Sequence, residues 1–345
     1  MLRFHNAVTG ALRAQVGPGV SPRDLFEQAR RTVQWHYQWL IVNVFLPLTI
    51  GQERLDDILN NGTMYFAVDA EAAQEPAARD GREARNSRES GQSRGARRGR
   101  GGQPPASAEL RIPVEFSVAA YRFGHWQIRP SYRLNFGPEA GKEFFAFVVD
   151  DSIDPRATDP NDLRGGVRAP RRFVDWQTFF DFGDGNARPN KLIDTKLSSV
   201  LMALPGSRAP APGLPADGVQ SLSSRNLIRH VNFGLPSGQA IAAKMGVPVL
   251  SPAQMPEMAA AGLAESTPLW YCILKEAEMM EKGQRLGPVG ARIVGEVFIG
   301  LLDADANSCL SAPQPWKPTL PAAGGPGTFR STDLLRFAGV VPPLQ

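Results

Sequence analysis

Histidine and cysteine are both scarce in this chain of 345 residues, four of the first and two of the second. Cys272 and Cys309 stand far apart and outside any CxxC or Cys/His spacing. That excludes a disulfide framework and a zinc site of ordinary ligand spacing, and leaves two buried thiols as the expectation. Long apolar runs are missing too. The longest, WLIVNVFLPLTI from Trp39 to Ile50, is interrupted by Asn43 and Pro47. It falls short of the roughly 20 residues that cross a bilayer, so no membrane span is expected. The first residues, MLRFHNAVTGALRAQ, lack the apolar stretch of about 7–15 residues that marks a secretory signal, and so do not indicate export. Nothing repeats at a fixed interval of about 20 to 50 residues, which argues against a solenoid. The net charge of +4 is small for this length and excludes a chain-wide nucleic-acid binder.

The composition that remains, 42% apolar and 21% charged, is that of a globular protein with a large core. SPRDLFEQARRTVQWHYQWLIVNVFLP opens on a helix start: Ser21 as N-cap, Pro22 in the first turn, and Asp24 near the positive end of the dipole. Leu25, Ala29, Val33, Tyr37 and Ile41 follow at four-residue steps, so a long buried helix is expected to run to about Leu46, ahead of Pro47. RRFVDWQTFFDF, NKLIDTKLSSVLMALP, VQSLSSRNLIRHVNFG, SGQAIAAKMG, TPLWYCILKEAEMMEKG and GPVGARIVGEVFIGLL support the helical period better than the strand period. The expected class is mainly α.

From residue 69 to residue 108 the character changes. EAAQEPAARDGREARNSRESGQSRGARRGRGGQPPAS has no aromatic residue and too little apolar area to offset its ordering entropy, so a disordered Arg/Gly-rich insertion is expected. It divides residues 1–68, the N-terminal helices, from residues 109–345 of the same domain. Residues 94–102 resemble Arg-Gly segments that bind RNA through charge and guanidinium stacking. No aromatic residue interleaves the arginines, so a solvated loop is the favoured reading over a nucleic-acid partner.

Two segments carry chemistry. VEFSVAAYRFGHWQI places Phe116, Ala120 and Phe123 near one helical face, with His125 one turn beyond Tyr121. A lone histidine there is either a hydrogen-bonded core residue or a metal ligand. In SRNLIRHVNFGLPSGQA, Asn226 and Arg229 share a helical face that Gly234 and Pro236 end sharply. A buried Asn needs partners for its amide and an Arg beside it needs an anion, so this face reads as a lining. An Asn/Arg pair capping neighbouring helices is the alternative.

FSVAAYRFGH and RNLIRHVNFGLPSG closely resemble two motifs of the animal-type haem peroxidase superfamily, the peroxidase and cyclooxygenase relatives, in their bacterial form. LRFHNAV, LFEQARRTVQWHYQW with FLP, NKLIDTKLSSVLMALP and GPVGARIVGEVFIGLLDADANS also resemble family segments and follow in family order. The resemblance implies a multi-helix haem peroxidase-like domain in which His125 is the proximal ligand of haem iron and Asn226 hydrogen-bonds that histidine. It implies that Arg122 and Arg229 bind the haem propionates, and that the partners are hydrogen peroxide and a small organic or halide donor. In the family the distal His and Arg, the calcium loop and the carboxylates that form ester links to haem lie upstream of LRFHN. The expectation is therefore an N-terminally truncated chain carrying the proximal side, without the calcium-site residues. A catalytically inactive, truncated or degenerate haem-binding or interaction protein is the alternative. His5 and His36 are the candidates to replace the distal His, and His36, flanked by aromatics in QWHYQW, reads better as a packed, hydrogen-bonded residue.

Overall fold

The computed structural model describes residues 1–16, 19–66, 111–136, 142–143, 174–202, 204 and 219–341; the insertion expected over 69–108 lies outside the described residues. The architecture is mainly α. Helix α1 (Leu2–Val16) packs against α2 (Pro22–Leu40). The start of α2 is the one its residues dictate: the Ser21 side chain accepts the Asp24 N–H at 3.1 Å, and Pro22 occupies the first turn. Tyr37, expected on the buried face, is 49% exposed, while His36 and Leu40 are buried. A step of four residues overshoots a full turn by about 40°, so after three steps from Leu25 the side chain has left the core face.

The helix does not stop before Pro47. Ile41–Phe45 widens into a π-helix, and α3 (Leu46–Ile50) carries Pro47 before ending at Gly51, whose φ is +89°. Proline has no N–H to donate and its ring clashes with the carbonyl four residues back, and a wider turn ahead of it relieves both. Gly51 then starts α4 (Gln52–Asn61).

A π-helix (Glu115–Ala119) runs directly into a 3₁₀-helix (Ala120–Gln127). Beyond it, Ser131–Tyr132 pairs antiparallel with Lys142–Glu143, the one sheet among the described residues. The remaining helices are α5 (Leu222–Asn232), α6 (Gly238–Met245), α7 (Pro256–Ala260), α8 (Leu269–Met280), α9 (Pro288–Ala304) and α10 (Ser331–Phe337). Two segments expected as helices are not. In the described part of RRFVDWQTFFDF only Trp176–Thr178 forms a 3₁₀ turn, and in that of NKLIDTKLSSVLMALP only Ser199–Leu201 does. Their backbone N–H groups are drawn to other segments: Asp175 donates to the Leu134 carbonyl at 2.9 Å, Lys191 to that of Gln127 at 3.1 Å, and Ile193 to that of Gly283 at 2.8 Å.

The core forms around α9, which is apolar nearly all round and buried from Val289 to Leu302. Such a helix is buried on every side, and small residues let its neighbours close in. A Cβ at Gly295 would stand 2.5 Å from Ile58 Cδ1, and one at Gly300 would stand 2.2 Å from Phe66 Cδ1. Val289 and Gly290, at the start of α9, donate their N–H groups to the buried Glu276 carboxylate at 3.0 and 3.4 Å. A second, smaller core holds α1, α2 and the C-terminal segment together through Phe4, Val8, Ala29, Leu40 and Phe329. Both thiols are free and buried as expected, and burial pushes Cys272 up to about 12 and Cys309 up to about 11. No helix among the described residues is long and apolar enough to cross a membrane.

Candidate functional site

A 3₁₀-helix has three residues per turn, so side chains at i and i+3 eclipse. The burial of Ala120–Gln127 follows that period. Ala120, Phe123 and Trp126 form one buried column, and Trp126 meets the Trp270 ring of α8 at 5.0 Å. The next column holds Arg122 and His125, both half-buried. His125 therefore stands one turn beyond Arg122, not beyond Tyr121 as an α-helical period predicts. The cause is the change of pitch after the π-helix, where Ala119 leaves the helical region at φ −123° and ψ −71°.

The π-helix packs against α5, which brings Arg229 toward this column. Electrostatics register the approach. Burial first, then the positive charges of Arg122 and Arg229, hold the His125 imidazole below the ordinary histidine range. Arg122 is lowered as well, by burial and by Arg229. The charge of the exposed Arg229 thus acts on both residues of this column, and among the described residues neither arginine has a salt-bridge partner. An arrangement of this kind disfavours protonation of His125 and favours an anion. A neutral imidazole is the form that ligates a metal.

Asn226 lies three residues before Arg229 on α5 and is fully buried. Its Oδ1 and Nδ2 both lack a hydrogen-bond partner, and so do His125 Nδ1 and Arg122 Nε. Buried polar atoms are almost always paired, so such a concentration of unpaired ones needs an explanation. The hydrogen bond expected between His125 and Asn226 is not formed: each side of it is present, buried and open. The structure brings Arg122, His125 and Arg229 together and places Asn226 on the same helix as Arg229.

His36 is settled differently. Its Nδ1 donates to the Thr32 carbonyl at 2.7 Å, and its Nε2 accepts the N–H groups of Thr319 and Leu320 at 3.1 and 3.2 Å. The ring is wedged edge-on between Trp316 and Phe329. With both nitrogens engaged, it has none left to move a peroxide proton. His5 packs beside the Phe26 ring at 5.5 Å. His230 is half-buried, with Nδ1 unpaired and its basicity lowered by burial. No cluster of metal-ligating side chains occurs among the described residues.

One feature escaped the sequence reading. In the apolar α9, Arg292 and Glu296 stand four apart, a spacing that puts both on one face of a core helix. Two charges in GPVGARIVGEVFIGLL were the available signal.

Residues 1–153 match the family described as animal haem peroxidase. That stretch, somewhat under half of the chain, includes Arg122 and His125. Among solved structures it is similar to Peroxidase A from Dictyostelium discoideum (DdPoxA). The match has 17% identity and a TM-score of 0.48, and covers 89% of this chain and 48% of the other. The chain thus spans about half the length of that peroxidase. No curated protein matches it.

Proposed function

We propose that this chain supplies the proximal wall of a haem site in a peroxidase-type oxidoreductase. His125 ligates the iron, Asn226 accepts the remaining imidazole N–H, and Arg122 and Arg229 bind the two propionates. The observation that carries the reading is the set of unpaired buried groups. An imidazole held below the ordinary histidine range, a buried amide with both ends open, and two arginines, Arg122 half-buried and Arg229 exposed, with no carboxylate partner among the described residues ask for one group that offers a metal and two anions. Haem fits that description on the chemistry of the donors, and the match of residues 1–153 to the animal haem peroxidase family supports it.

When bound, haem supplies the redox chemistry by which peroxide is reduced and an organic or halide donor is oxidised. The chain's own residues do the rest. Burial, and after it the charges of Arg122 and Arg229, disfavours protonation of His125, and the two arginines would hold the macrocycle by its carboxylates. Asn226 fixes the ring of His125, and as a neutral acceptor it draws less on the imidazole proton than a carboxylate would, which moderates donation to the metal. Alongside this stands the reading of a haem-binding or interaction protein without turnover. The exposure of Val231 (75%) and Phe233 (58%) beside the arginine face favours it.

Titration of haem into the 345-residue polypeptide tests the proposal. The expected result is a Soret band that His125→Ala abolishes and that Asn226→Ala weakens by roughly 10- to 100-fold in affinity. Peroxide turnover by the loaded polypeptide well above that of free haem would exclude the reading without turnover. Haem affinity indifferent to both substitutions would remove these residues from the site.

A further inference from the structure

A cavity of about 190 Å³ lies where α6 and α9 meet the chain at Tyr65 and Phe66, and the haem reading makes no use of it. Its walls are largely apolar, with Phe66, Ile241, Met245 and Val297 among them, and its polar floor is the pair Arg292 and Glu296. Glu115 and Lys244 also border it, one charge of each sign.

Glu296 is 1% exposed. Its Oε2 is fully used, accepting the Tyr65 N–H at 2.6 Å and the Phe66 N–H at 2.9 Å. Its Oε1 has no hydrogen-bond partner, and neither has Arg292 Nη1. These two atoms are 3.5 Å apart, an ion-pair contact without hydrogen-bond geometry. Arg292 spends its other terminal nitrogen on Asp57 Oδ2 at 2.6 Å. A buried acceptor and a buried donor therefore stand side by side, both unspent, at the edge of an apolar cavity.

We propose that this cavity binds a small, neutral, hydroxyl-bearing molecule of about the size of a phenol. A hydroxyl is donor and acceptor at a single atom: its O–H donates to Glu296 Oε1 while its oxygen accepts from Arg292 Nη1. A carboxylate would face Glu296 and an ammonium would face Arg292, so either charge is disfavoured. The apolar walls select an apolar body. The volume suits one ring, since an apolar cavity of about 150 Å³ holds benzene.

The site is separate from His125, and its test is run without haem so that the two readings fail independently. Phenol is titrated into the 345-residue chain and followed by saturation-transfer NMR, with toluene and benzoate as controls. Phenol binds saturably, and toluene and benzoate each bind at least about tenfold more weakly, the loss expected for a hydrogen bond to a charged group. Glu296→Gln, which replaces the open acceptor by a donor, weakens phenol by about tenfold or more. Met245→Trp, which fills the cavity from a half-buried position, abolishes binding and decides the matter should the Gln variant fail to fold. Absence of saturable phenol binding at millimolar concentration would mean that the pair holds only water and would overturn the proposal. Equal binding of phenol and toluene, unchanged by either variant, would overturn it too.

Discussion

Glu276 offers the sharpest test of the fold's electrostatics. It is 3% exposed, and burial raises its carboxyl to about 7, against the N–H groups of Val289 and Gly290 and the charge of Arg54, which favour ionisation, while Glu281 opposes it. A folded-state value above the unfolded one means that the native state holds the proton more tightly. The associated stability is complete below the unfolded value of 4.5 and is lost as pH rises through 7. The gap of 7 minus 4.5 corresponds to about 3 kcal/mol at 1.36 kcal/mol per unit, most of which falls between pH 5 and pH 8. Other groups titrate in the same window with the opposite sign. His36 and His125, both lowered, lend stability above the ordinary histidine value that is lost on acidification. The difference between the parent chain and Glu276→Gln cancels these terms. Urea unfolding at pH 5 and pH 8 should therefore show Glu276→Gln gaining about 2–3 kcal/mol relative to the parent across that interval. Parallel stability profiles for the two proteins would refute the argument that Glu276 is held protonated at the start of α9.

The proposed haem site makes its own demand on pH. Because burial and two arginines hold His125 below the ordinary histidine range, the acid edge of haem binding should lie below that range too. Arg229→Ala should raise the imidazole toward its ordinary value and move the acid edge of Soret binding upward; an unmoved edge would separate Arg229 from His125. Assayed for peroxide turnover, the haem-loaded 345-residue polypeptide should fall near free haem, because positioned acid–base help is worth roughly 10²–10⁴-fold and both His36 nitrogens are engaged. Efficient turnover would require another proton carrier. Gly300→Ala brings a Cβ within 2.2 Å of the Phe66 ring, and its urea midpoint should report a loss of about 1–3 kcal/mol. Deletion of residues 69–108, which composition marks as lacking core-forming side chains, should leave stability within about 1 kcal/mol.

What the sequence determined by itself is what depends on neighbours along the chain. The cap at Ser21, helices α5, α6, α8 and α9 and the mainly α class follow from local hydrogen bonding and periodic apolar side chains. The motifs at Arg122–His125 and Asn226–Arg229 were legible for the same reason, as residue types at a fixed spacing. Tertiary structure decided the rest. The segments around Trp176 and Ile193 lost their helical ladders because remote backbone groups took their hydrogen bonds. The change from π to 3₁₀ pitch at Ala120, which puts His125 over Arg122, accompanies the packing of the π-helix against α5, α8 and α9. The convergence of Arg122 and Arg229 on one imidazole joins two segments far apart in the chain, so only folding could bring their charges within reach of each other. The unspent pair Arg292 and Glu296 was visible as two charges in a core helix, but that one oxygen and one nitrogen remain open depends on Tyr65, Phe66 and Asp57 arriving from elsewhere to take the others. Spacing along a chain specifies which groups share a face, and burial against distant segments specifies which of them are left needing a partner.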